Sequence, residues 1–183
     1  MLASACAPGD HPTDPPAVTS APTTTASMAV QVSPAPKQGR LVTDPVEWDP
    51  CFQVPDSVIE QLGFDPKTRQ RGDWFDIEYT FLGCKFERRS VTLGMDTRDG
   101  ILRIMSGSIS LDQVRTKETT EFSVNIGSRD GVRWDDHEHC TVAMTGPDGV
   151  IYVSVDSSGN LSGWSGCDHL EEQSRAVESI LPK

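Results

Sequence analysis

Apolar and polar residues alternate along several stretches of the chain after residue 75, and this period of two predicts β-strands. The alternation starts with Ile77, Tyr79 and Phe81 and resumes after a break at Gly83. Further strands are predicted over residues 90–95, 119–126, 131–134, 140–145 and 150–155. The Gly-Pro-Asp-Gly sequence at 146–149 predicts a hairpin turn between the last two. Residues 101–116 are ambiguous and fit a strand followed by a short helix.

Two segments instead show the spacing of short helices. Ser57 and Glu60 have the spacing of a capping box, and Gly63 can end the helix that follows. Asp168 and Glu171 have the same spacing, ahead of a helix whose apolar face holds Leu170, Val177, Ile180 and Leu181. The pattern has no β-α-β alternation. It therefore predicts an α+β fold, an antiparallel β-sheet flanked by an N-terminal short helix and a C-terminal helix.

The first quarter of the chain has a different character. Residues 7–40 are rich in Pro, Thr and Ala and contain no Leu, Ile, Phe, Tyr or Trp. Such a segment cannot bury enough apolar surface to offset the entropy of ordering its backbone. We therefore expect residues 1–45 to be the end of a signal peptide followed by an extended tether. A single domain is expected over 46–183, beginning just before Trp48, the first aromatic residue.

Charge and hydropathy narrow the class of protein. The 183 residues include 16 Lys and Arg against 27 Asp and Glu, a formal net charge of −11. Proteins that bind the phosphates of nucleic acid need a basic face. Because this chain is strongly acidic, no nucleic-acid partner is expected. The longest apolar stretches are far shorter than the roughly 20 residues that span a bilayer.

The residues around Cys6 indicate how the chain is attached to a membrane. The small residues Ala3, Ser4 and Ala5 precede Cys6, as in a bacterial lipoprotein signal in which the cysteine is lipidated. Leu2 lies four residues before the cysteine, one farther than is usual. With a flexible spacer after Cys6, acyl chains would hold the folded domain at the membrane.

The other four cysteines, Cys51, Cys84, Cys140 and Cys167, form no Cys-x-x-Cys pattern. In an exported protein, four such residues predict two disulfides, with three possible pairings. Pairing in sequence order would close two loops of about 30 residues, each contributing roughly 3–4 kcal/mol to stability.

These landmarks together resemble the DUF3558 family of actinobacterial exported lipoproteins. Asp49-Pro50-Cys51 precedes a short helix, and Gly83-Cys84 has an aromatic residue, Phe86, two positions later. A third cysteine lies in a strand, and the fourth opens a helix that ends at Leu181-Pro182. The resemblance spans about residues 45–182, although the family often has Trp where this chain has Phe86. It implies an envelope lipoprotein with two disulfides, and it implies no activity.

One cluster has the residue types of a metal site. His137 and His139 have the spacing that places two imidazoles on one face of a strand, and acidic residues flank them. Zn²⁺ and Cu²⁺ bind such ligands. A Cys140–Cys167 disulfide would bring His169 near. The alternative is an acidic surface loop leading into a strand.

Two further groups could form surfaces. Trp74, Phe75 and Trp134 could line a ligand groove, or could pack in the core and anchor loops. Four arginines, at 69, 71, 88 and 89, form a local basic patch that could face anionic lipid headgroups or simply balance the acidic residues.

No nucleophile elbow, phosphate-binding loop or other catalytic motif is found, so no enzyme activity and no cofactor are expected. The expected function is that of a non-catalytic lipoprotein on the outer face of the cytoplasmic membrane. Its partner would be an envelope protein or a glycan. The alternative is a lipoprotein that binds a small ligand, either a lipid or a metal.

Overall fold

The computed structural model describes residues 28–38, 45–118, 122–136, 139–157 and 162–183. The strands described are β1 Asp65–Arg71, β2 Trp74–Phe75, β3 Thr80–Thr92, β4 Met95–Gly107, β5 Phe122–Ile126, β6 Arg129–Asp136, β7 His139–Thr145 and β8 Val150–Asp156. The helices described are α1 Pro50–Gln53, α2 Asp56–Gln61, α3 Leu111–Lys117 and α4 Leu170–Glu178, with a 3₁₀ helix, Gly166–His169, leading into α4.

The strands form one antiparallel sheet in the order β1-β3-β4-β8-β7-β6-β5, and β2 extends the β3 side. The helices α1, α2 and α4 pack on one face, which we call the main-core face. Its centre holds Phe86, Leu102, Val142 and Val153, all fully buried. The predicted α+β fold, with its short N-terminal helices and C-terminal helix, is therefore confirmed.

The opposite face of the sheet is covered only in part, and we call it the second face. The helix α3 packs there against β6 and β7, where Leu111 and Val114 are buried. This helix has the capping box that its sequence allows, since Ser110 and Gln113 bond each other's backbone. The ambiguous segment 101–116 is thus the end of a strand followed by a short helix, as its pattern suggested.

Both disulfides join residues that are neighbours in sequence order. Cys51 in α1 is bonded to Cys84 in β3, with a sequence separation of 33. Cys140 in β7 is bonded to Cys167 in the 3₁₀ helix, with a separation of 27. The sequential pairing is confirmed, and each bridge ties a helical segment to the main-core face.

Side-chain hydrogen bonds hold the backbone of residues 46–48, just before the first helix. The backbone N–H groups of Glu47 and Trp48 donate to the carboxylate of Asp148, at 3.1 and 2.8 Å. Val46 exchanges two hydrogen bonds with the side chain of Gln38. Because Val32 also packs against the main core, part of the predicted tether lies on the domain.

Several strand boundaries differ from the predicted ones. The strand β3 runs through Gly83 without a break. Glycine is required there by the close approach of Gly72, since a Cβ atom at position 83 would lie 2.5 Å from its carbonyl oxygen. The prediction of a separate strand over 90–95 was wrong. The chain turns at Leu93 and Gly94, both with positive φ, and β4 is the partner strand. Val91, Leu93 and Met95 are exposed at this tip.

The two predicted helix caps are not formed. The helix α2 begins at Asp56 with Pro55 as its N-cap, and no side chain caps it. Asp168 lies within the 3₁₀ helix, so α4 begins at Leu170. The disulfide between Cys167 and Cys140 ties the start of this segment to β7, and the α-helical turns follow it.

The four clustered arginines do not form a basic surface. Arg69 is 2% exposed and donates hydrogen bonds to the carbonyl oxygens of Cys51 and Val54, both at 3.0 Å. Arg71 binds Asp49 and Asp73. Burial alone would lower the pKa of Arg71, but the hydrogen bonds and charges of Asp73 and Asp49 together outweigh it, so the pKa is raised. Arg88 lies 3.6 Å from Asp99, and Arg89 pairs with Glu87 and Asp96. The structure therefore supports the alternative in which these arginines balance acidic residues.

Candidate interaction surface

Trp74 and Trp134 lie at the two ends of a row of four aromatic rings on the second face. The ring centroids of Trp74 and Phe81 are 5.1 Å apart, and those of Phe81 and Tyr152 are 5.5 Å apart. Tyr152 is in turn 5.9 Å from Trp134. The row therefore crosses the sheet from β2 through β3 and β8 to β6, and links the two tryptophans that the sequence singled out.

Strand alternation and one glycine create this row. Residues 81, 152 and 134 each fall on the second face of their strands. Gly107 lies opposite Phe81, and a Cβ atom there would be 2.3 Å from the phenyl ring. Burial is also the main reason that the pKa of the Tyr152 hydroxyl is raised, and the charge of Glu118 raises it further. The middle of the row is thus packed and uncharged.

The Trp74 end of the row is open to solvent. Trp74 is 51% exposed, Phe75 is 39% exposed and Ile77 is 71% exposed. We call these three residues the β2 apolar patch. The alternating pattern had placed Ile77 in a strand, but it lies in the turn after β2, where the N–H of Asp76 donates to the carbonyl of Tyr79. Sequence reasoning therefore identified Trp74 and Phe75 and missed Ile77.

The surroundings of the β2 apolar patch are acidic. Asp76 and Glu78 are exposed beside Ile77. Asp73, two positions from Phe75, is held by Arg71 and accepts a hydrogen bond from the N–H of Gly83 at 3.0 Å. An apolar centre with a charged rim is the arrangement found in protein–protein interfaces.

The structure does not bring the candidate histidines into one described site. His139 is exposed, with Nδ1 3.7 Å from Asp156, and His169 is exposed, with Nδ1 3.8 Å from Glu172. Within residues 28–38, 45–118, 122–136, 139–157 and 162–183, no group of three His, Cys, Asp or Glu residues could hold a metal. His137 lies outside these ranges. The metal site stays a prediction, and the disulfide removes Cys140 as a ligand.

Cys6 lies outside the described residues, so its lipidation also stays a prediction. Among the helices that the structure describes, none combines the length and the apolar character needed to cross a membrane.

Comparison with known proteins places the chain in a family. The model of the family described as a protein of unknown function, DUF3558, matches residues 1–179. The match covers the folded domain and also the N-terminal segment that precedes it. No curated protein and no solved structure matches the chain. With its cysteine landmarks joined as two disulfides on an antiparallel sheet, the chain belongs to the DUF3558 family.

Proposed function

We propose that this protein is a cell-envelope lipoprotein of the actinobacterial type, whose domain binds another envelope protein and catalyses no reaction. The observation that carries the proposal is the β2 apolar patch. Three large apolar side chains are exposed within four residues, at a position fixed by the aromatic row behind them. Aromatic side chains held rigidly in this way are the usual energetic centres of protein interfaces.

The chemistry of the patch favours a protein over a glycan. Phe75 and Ile77 offer apolar surface, which suits a hydrophobic pocket on a protein. The exposed carboxylates of Asp76 and Glu78, together with a net charge of −11, favour a partner whose pocket has a basic rim. A glycan bound by stacking on Trp74 is the competing outcome of the test below.

The surface test uses a photoreactive amino acid in place of Phe75 or Ile77, in the full-length protein expressed in its host. We expect both positions to cross-link the same envelope protein, whereas the same amino acid at exposed Glu60 on α2 captures none of it. The partner, once purified, should bind Trp74→Ala at least about tenfold more weakly than the wild type, because truncating a central aromatic anchor removes 1.4 kcal/mol or more.

Because Trp74 is half-exposed, we expect Trp74→Ala to fold as the wild type does. An unchanged unfolding midpoint checks this. Capture of a glycan, or equal capture from positions 75, 77 and 60, would overturn the proposed partner.

The lipid anchor is tested separately. We expect the protein, produced with its complete leader in its host, to enter the detergent phase on Triton X-114 partition. Cys6→Ser should remain in the aqueous phase, because the acyl chains that hold it at the membrane can no longer be attached. Mass spectrometry of the N-terminal peptide identifies the modification. If the wild-type protein partitions into the aqueous phase, the lipoprotein proposal is wrong.

A further inference from the structure

A cavity of about 220 Å³ lies on the main-core face, between the end of α2, the strand β3 and the helix α4. Its walls include Arg88, Trp164, His169, Glu172 and Gln173. The volume is below the roughly 300–1,000 Å³ of drug-sized ligand sites, so only a small molecule fits. The cavity is on the opposite side of the sheet from the second face and its aromatic row.

Gln173 is the unusual member of this wall. It is 2% exposed, and its side-chain oxygen Oε1 makes no hydrogen bond to any part of the chain that the structure describes. Almost all buried polar atoms in native proteins have a hydrogen-bond partner, and a buried polar atom that lacks one is destabilising. On a cavity wall, this carbonyl oxygen is therefore a candidate acceptor for a hydrogen-bond donor on a bound molecule.

Arg88 and Trp164 form a fixed side of the cavity. The guanidinium carbon of Arg88 lies 4.7 Å from the centre of the indole ring of Trp164. The ring itself lies against Gly100, where a Cβ atom would be 2.4 Å from Cζ3. A larger residue at that position would displace the indole. The wall thus presents an ordered aromatic ring and a group with several N–H donors.

The charges around the cavity argue against an anionic ligand. Arg88 is 3.6 Å from Asp99, whose side chain is fully buried and accepts a hydrogen bond from Ser162. Glu172 adds a second carboxylate, next to His169. The single arginine is therefore balanced before any ligand binds, and an anion would gain no net attraction in a protein of charge −11.

We propose that this cavity binds a small neutral molecule rich in hydroxyl groups, a polyol or a single sugar ring. A ligand hydroxyl would donate to Oε1 of Gln173, and other hydroxyls would accept from Arg88 or His169. The apolar edge of such a molecule suits the indole of Trp164. This site is independent of the β2 apolar patch, so its test leaves the proposed partner binding untouched.

The experiment is a nuclear magnetic resonance titration of the ¹⁵N-labelled, disulfide-bonded protein. The probes are glycerol, D-glucose and myo-inositol, with inorganic phosphate as the anionic comparison. We expect at least one neutral probe to shift the indole N–H of Trp164 and the backbone amides of Arg88 and Gln173 with saturation. Phosphate should leave these signals in place.

The diagnostic variant is Gln173→Met, which keeps the shape of the side chain and removes the unpaired oxygen. We expect the affinity for the neutral probe to fall by about tenfold. The thermal unfolding midpoint should be unchanged or higher, because a buried polar atom without a partner has been removed. Gln70→Met, at an exposed position on β1, is the matched control and should bind as the wild type does.

Three results would overturn the proposal: no saturable shift with any neutral probe, shifts with phosphate alone, or unchanged binding in Gln173→Met. If Gln173→Met fails to fold, Arg88→Gln provides the second variant. The glutamine side chain is shorter than arginine and carries no charge. The proposal therefore predicts that Arg88→Gln also binds the neutral probe more weakly.

Discussion

Arg69→Met is expected to lower the free energy of unfolding by about 3–5 kcal/mol, the range measured when one member of a buried ion pair is removed. The guanidinium of Arg69 lies over the ring of Phe86 at 4.8 Å and pairs with Asp56. It also satisfies two backbone carbonyl groups at the end of α1. Methionine can fill the space, but it removes the donor to both carbonyl oxygens and leaves the Asp56 carboxylate with the N–H of Ala29 and no cationic partner.

Urea unfolding followed by circular dichroism measures this loss. Lys67→Met, two residues earlier in the same strand and exposed, is the matched control and should change stability by about 0.5 kcal/mol or less. Arg69→Lys should recover only part of the loss, since an ammonium group cannot reach acceptors in several directions as the planar fork does. A loss below about 1 kcal/mol for Arg69→Met would contradict the bridging role of this arginine.

The second large effect is expected from the bridge between Cys51 and Cys84. Replacing both with alanine should lower the free energy of unfolding by about 3–4 kcal/mol, as expected for a closed loop of this length. The thermal midpoint should fall by roughly 10 °C or more. Both sulfur atoms lie in the core, so alanine introduces no buried polar atom.

Scanning calorimetry with and without a reductant provides the control. The reductant should destabilise the wild type by more than it destabilises Cys51→Ala/Cys84→Ala, which retains only the Cys140–Cys167 bridge. If the double variant unfolds at the wild-type midpoint, the bridge contributes nothing to stability and the loop-closure argument fails. A free-thiol titration of the denatured wild type distinguishes bonded from reduced cysteines.

The strands β7 and β8 could be predicted closely because local pattern decides them. Their central residues alternate between the main-core face and the second face, and the Gly-Pro-Asp-Gly turn connects the two strands. The strand β1 could not be predicted because its sequence has no alternating pattern of apolar and polar residues. Its residues, Asp65–Arg71, are almost all polar, and it exists because Arg69 is buried by contacts with α1 and α2.

The β2 apolar patch could be predicted from the sequence in part, whereas the cavity could not. Trp74 and Phe75 could be singled out because two adjacent aromatic residues are candidates for a binding surface in any sequence. The β2 apolar patch depends on a turn that exposes Ile77, which an alternating pattern cannot show. The cavity joins Arg88 of β3, Gln173 of α4 and Trp164 of the irregular segment before the 3₁₀ helix. Only the folded chain shows that the oxygen of Gln173 is buried without a partner.

The bridge from α1 to β3 also sets the path of mechanical load through the domain. A pull on the N-terminal segment reaches Trp48, which is held by Asp148, and then Cys51, which is bonded to Cys84. The chain between these two cysteines lies inside a closed loop and carries no tension. Reducing the bond would add 33 residues to the stretched chain, roughly 100 Å of slack. The oxidised domain is thus short and stiff at its N-terminal end.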